Sequence, residues 1–80
     1  MREQKIKQDK ICIGENIRKI RIQKAVGQTE LVREVQLLGG SLTRETLVKI
    51  ERGTQHIYAS QLKAIKVVLN TTYDELLKER

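Results

Sequence analysis

The sequence predicts an all-α domain, a compact bundle of five short helices. Three observations carry this prediction. Apolar residues recur at helical spacing along most of the chain, and nowhere do they alternate for long enough to suggest a strand. There is no proline, so the five glycines, at 14, 27, 39, 40 and 53, do the punctuating. At 80 residues the chain is one domain at most.

The first helix is expected over 13–25. Ile13, Ile17 and Ile20 fall on one stripe at i, i+4 and i+7, with Arg21 on its edge. The second is expected over 28–38, with Leu31, Val32, Val35 and Leu38 inward. Gly39-Gly40 closes it, because glycine accepts the left-handed conformation a helix C-terminus needs. Leu42 then plugs the turn. Thr43 is a good N-cap for a third helix over 44–52, which Gly53 stops.

A fourth helix over 60–69 turns Leu62, Ile65 and Leu69 inward, and its cap is either Tyr58 or Ser60. The fifth begins at Thr72, where Thr72-x-x-Glu75 is a capping-box pattern. Leu76 and Leu77 face in, with Tyr73 a third candidate. These three exceed what a terminal helix need bury, so they are also the expected surface for self-association. Residues 1–12 read as a flexible basic arm carrying Arg2, Lys5, Lys7 and Lys10, which leaves 13–80 as the folded domain.

The net charge is +6, and it is uneven. Residues 1–58 hold twelve bases and seven acids, whereas residues 59–80 hold four and three. Such an excess favours polyanions, DNA first. Other classes fall away. A single cysteine, Cys12, makes neither an intramolecular disulfide nor a zinc cluster. Apolar runs such as Val67-Val68-Leu69 are far too short to span a membrane, and the N-terminus lacks the apolar core of a secretory signal. A cytoplasmic, nucleoid-associated protein is the expectation.

The third helix is the most informative stretch. At 100° per residue, Leu47 and Ile50 lie together and face the core. The opposite face carries Glu45, Val48, Lys49 and Arg52, with Arg44 projecting from the first turn. Such side chains suit a major groove: Arg and Lys reach guanine O6 and N7, a carboxylate accepts from cytosine N4, and an apolar tip touches the thymine methyl. Glu51 lies beside Leu47 on the core flank, where an acid needs a partner. Arg21 is the natural one.

Four fragments in order resemble the phage-repressor/Cro-type helix-turn-helix family, also called the XRE family. They are IGENIRKIR (13–21), Gln28-Thr29-Glu30-Leu31, Thr43-Arg44-Glu45-Thr46-Leu47-Val48-Lys49-Ile50-Glu51-Arg52-Gly53, and Thr71-Thr72-Tyr73-Asp74-Glu75-Leu76-Leu77. Together they cover most of 13–77. The resemblance implies a five-helix lambda-repressor-like helix-turn-helix domain that binds specific DNA sequences. Arg44, Glu45 and Lys49 would read bases, and Val48 shares their face. Gln28 would grip a phosphate from the start of the second helix, with Thr43, Arg52 and Thr54 near the backbone. Arg21 and Glu51 would form a partly buried ion pair. The chain departs from the family in an insertion over 36–40, expected to add a turn to the second helix. It also has Val32 where the family prefers alanine, and no proline after Gly53.

Other residues read more plainly. His56, the one histidine, is expected to be a solvent-exposed loop residue, and Cys12 a small hydrophobe before a helix. Asp74 and Glu75 complement a helix dipole. No nucleophile–base arrangement, metal cluster or cofactor signature presents itself, so neither an enzyme nor a metal or cofactor is expected. The expected function is a DNA-binding transcriptional regulator, a repressor that occludes a promoter as a homodimer on a palindromic site. The alternative is a protein-binding module on the same fold, an antitoxin or an antirepressor-controlled partner.

Overall fold

The computed structural model describes residues 5, 6, 8 and 11–79. The fold is all-α, with five helices among the described residues: α1 (Ile13–Gln23), α2 (Gln28–Leu37), α3 (Arg44–Arg52), α4 (Ala59–Val68) and α5 (Tyr73–Leu76). Two short strands, β1 (Lys5–Ile6) and β2 (Ile57–Tyr58), pair antiparallel, with Ile6 opposite Ile57. Helix α1 packs on α3 and α5, and α2 packs on α3 and α4.

The stripes expected from periodicity meet in one core. Ile13, Ile17 and Ile20 of α1 face Leu31, Val32 and Val35 of α2, Leu47 and Ile50 of α3, and Leu62 and Ile65 of α4, all buried. Each such side chain, fully buried, contributes about 1.5–3 kcal/mol. Leu42 is buried in the turn before α3, as its position requires.

Helix ends explain most boundary shifts. Helix α2 stops at Leu37, because Gly39, at φ 84°, reverses the chain. The Gly39 N–H donates to the Gln36 carbonyl and the Gly40 N–H to that of Val35, both at 2.9 Å, which makes a Schellman motif. Of residues 36–40, expected to add a turn to this helix, only Gln36 and Leu37 belong to it. Leu38, expected inward, is 57% exposed, since Leu42 fills the core beyond the reversal. Helix α3 ends the same way at Gly53 and Thr54.

Helix α1 ends two residues earlier than expected through the same device on a less suitable residue. Ala25 sits at φ 57°, donating to the Ile22 carbonyl while Val26 donates to that of Arg21. Helix α4 starts at Ala59 with Tyr58 as its N-cap residue, settling the choice against Ser60. The Tyr58 N–H donates to Gln61 Oε1 at 2.9 Å. In α5 the Thr72 hydroxyl accepts from the Glu75 N–H, but the helix is only four residues long. Leu76 is wholly buried and Leu77 half-buried against the core, so the terminal leucines serve this chain's own interior. Tyr73 stays exposed, with the Lys66 ammonium 5.1 Å from its ring centre.

The N-terminal stretch departs most from expectation. Lys5, Ile6 and Gln8 are not part of a flexible arm. β1 is fixed against β2, and Ile6 packs on the core. Ile11 is also packed there, and Cys12 is half-buried as the residue before α1. A two-residue strand has no period to detect, and a lone isoleucine between lysines gives no stripe. Residues 1–4, 7, 9 and 10 of the expected arm lie outside the described residues.

Candidate nucleic-acid interface

The site is built on α3 and on what holds α3 in place. Thr43 caps it, its Oγ1 accepting from the Thr46 N–H at 3.1 Å. That bond satisfies one of the free N–H groups of the first turn. Leu47 and Ile50 anchor the inner face, and Glu51 on its flank is held by Arg21. The guanidinium is bidentate: Nε donates to Oε2 at 2.9 Å and Nη2 to Oε1 at 3.0 Å. The Arg21 Nη1 donates onward to the Val26 carbonyl. The expected pair is thus formed, and both side chains are largely buried, 11% and 4% exposed.

The outer face carries the expected reading set. Arg44, Glu45 and Lys49 are exposed and Val48 is half-buried. With Arg52 they line one shallow hollow of about 440 Å³. The side chains of Arg44, Glu45, Lys49 and Arg52 make no hydrogen bond or ion pair with any other described residue. Their charges are therefore free for a ligand, at an exposure where neutralising them costs little desolvation.

The expected phosphate set divides. Arg52 and Gln28 come together in a second hollow of about 400 Å³, beside Arg44, Val48 and Glu51. Gln28 opens α2, but its Nε2 already donates to Glu51 Oε1 at 3.1 Å. Its side-chain amide therefore serves the ion pair. What α2 offers outward is its N-terminus, where Gly27 provides no side-chain cap. The hydroxyls of Thr43 and Thr54 are engaged too: Thr43 donates to Thr46 Oγ1, and Thr54 to the Lys49 carbonyl at 3.1 Å. Both residues are exposed at opposite ends of α3, yet their side chains act first as helix caps.

Two residues at the site escaped sequence reasoning. Arg18 of α1 is exposed and lines the hollow shared by Gln28, Arg44 and Arg52. A wheel of α1 holds the clue: Gly14, Arg18 and Arg21 fall within about 60° of one another, on the edge that meets α3. Gln8 is the other, a half-buried side chain beneath the end of α3. Nothing in the spacing around it signals that role.

Among the described residues no group of three His, Cys, Asp or Glu side chains is placed to hold a metal ion. His56 is exposed, as expected. No described helix is long and apolar enough to cross a membrane. No protein-family model matches the sequence, and no curated protein matches it either.

Proposed function

We propose that this protein is a sequence-specific double-stranded DNA-binding regulator that represses transcription by occluding a promoter. One observation carries the reading. The outward face of α3 presents the side chains of Arg44, Glu45, Val48 and Lys49 with no partner among the described residues, on a helix braced from behind by a buried ion pair. Arg44 and Lys49 would reach guanine edges, Val48 a thymine methyl and Glu45 a cytosine amine. Arg18, Arg52 and the α2 N-terminus would grip the flanking phosphates, fixing register without reading sequence.

One nine-residue helix contacts few base pairs, so specificity calls for two copies on a palindrome, with half-sites about 34 Å apart. A cytoplasmic protein associated with the nucleoid follows from this reading. The test is selection of bound duplexes from a random library. An enriched, symmetric motif is expected. A basic face that binds without discrimination yields none.

A second reading has its own support. Leu37 and Leu38 are 73% and 57% exposed at the end of α2, which suits a protein-binding module on the same fold. Selection without enrichment would favour it.

A further inference from the structure

The Gln8 carboxamide satisfies all its hydrogen-bonding groups at one junction. Its Nε2 donates to the Ile50 carbonyl at 3.0 Å and to the Gln55 carbonyl at 2.9 Å. Its Oε1 accepts from the Gly14 N–H at 2.6 Å. A primary amide has two N–H donors and one acceptor oxygen, and each is used. The three partners belong to the last turn of α3, the loop after it and the first turn of α1.

Each partner lies where the chain starts or ends a helix or turns. Cys12 gives α1 no side-chain cap, so the Gly14 N–H would otherwise lack a partner. The Ile50 carbonyl lies in the closing turn of α3, where it also accepts from the Gly53 N–H. The Gln55 carbonyl belongs to a loop that must turn the chain into β2. Pairing of β1 with β2 delivers Gln8 to this place, since Ile6 lies opposite Ile57 two residues away.

We infer that Gln8 is a positioning residue for α3: its carboxamide fixes the C-terminal turn of that helix, and with it Lys49 of the outward face and the loop from Thr54 to Gln55. The Arg21–Glu51 pair ties α3 from one side and Gln8 from beneath its end. Together they set how the exposed face stands on the rest of the domain. Gln8 itself touches no ligand. Its consequence for DNA rests on the reading proposed above.

Two measurements on Gln8→Ala test it. The first is amide hydrogen exchange without DNA. Exchange is expected to quicken about tenfold or more at Gly14, Gly53 and Thr54, and less than about twofold at Leu69, whose N–H is bonded within α4. If Leu69 quickens as much as the others, Gln8 stabilises the fold generally and the inference fails. The second is affinity for a selected and a scrambled duplex at one salt concentration, well below the melting temperature. The selected site is expected to weaken about tenfold and the scrambled one less than twofold. Equal losses on both duplexes overturn a positioning role. Gln55→Ala is the control, because the Gln55 acceptor is its backbone carbonyl, and its ratio of affinities should match the unmodified protein. A wild-type chain that binds no duplex defeats the DNA reading alone, and exchange then decides whether Gln8 fixes α3.

Discussion

Gly14 and Ile50 meet backbone to backbone where α1 crosses α3. A Cβ placed on Gly14 would fall inside the Ile50 carbonyl group and close against the Glu51 Cα. The missing side chain is what brings Arg21 within reach of Glu51 and the Gly14 N–H within reach of Gln8.

Gly14→Ala should therefore destabilise the fold, although alanine is the better helix former by about 1 kcal/mol. The obstacle is backbone, which cannot rotate aside, so the helices must part. A net loss of about 2 kcal/mol or more is expected in urea unfolding. Gly27→Ala is the control, since nothing lies near a Cβ there and its φ of −76° is ordinary. Equal midpoints for the two variants would show that the crossing is looser than described.

Glu51→Ala should cost about 1–3 kcal/mol, because it strands the Arg21 guanidinium and the Gln28 amide together. Glu45→Ala, at an exposed position whose side chain has no partner among the described residues, should leave the melting temperature nearly unchanged. Thermal melts of both variants at one pH decide the matter.

Ala25→Gly should stabilise. Alanine at a left-handed φ of 57° carries a strain of about 1–2 kcal/mol. Glycine removes that strain but adds freedom to the unfolded chain, returning about 0.4–1 kcal/mol. The net gain expected is about 0.5–1 kcal/mol, read as a rise in the urea midpoint with an unchanged slope. A fall would mean the turn is not formed in solution.

On DNA, the reading and gripping residues should separate. Arg44→Ala should cost about 1–3 kcal/mol at a selected site and much less on scrambled sequence. Arg18→Ala and Arg52→Ala should weaken both duplexes by similar factors and flatten the salt dependence. With about four phosphates per half-site, the log–log salt slope per monomer should lie near −3 to −4. If Arg44→Ala acts equally on both duplexes, it is a backbone contact and the reading face lies elsewhere on α3.

Much of the fold was legible because long-period signals report it. The stripes of α1, α2, α3 and α4, the Thr43 cap and the Arg21–Glu51 pair all follow from residues three, four or seven apart. What escaped has no period. β1 is two residues long, and Gln8 acts through carbonyls 42 and 47 residues away. Leu38 belonged to a helical stripe by spacing, but the reversal at Gly39 took it out of the helix. Leu76 and Leu77 turn inward as the spacing predicts, but Tyr73, the third candidate, is exposed because α5 ends after a single turn. At the candidate site, wheel geometry placed the outer face of α3. Arg18 needed α1 and α3 to be seen together, and the prior engagement of Gln28, Thr43 and Thr54 depends on bonds that residue types alone do not reveal.

Asn16 adds a second long tie to α1, its Nδ2 donating to the carbonyls of Leu76 at 2.9 Å and Lys78 at 2.8 Å. Gln8 holds the same helix two residues earlier. The two ends of the described chain are thus tied into the first turn of one helix, the Gln8 end across six residues and the other across 60 and 62. Closing a loop of 60 residues is slow relative to forming a helix, so the Asn16 tie should be among the last to form and the first to open. A pulling force, or a bulky fusion joined tightly at either end, would load the helix on which α3 rests before it disturbed α2 or α4.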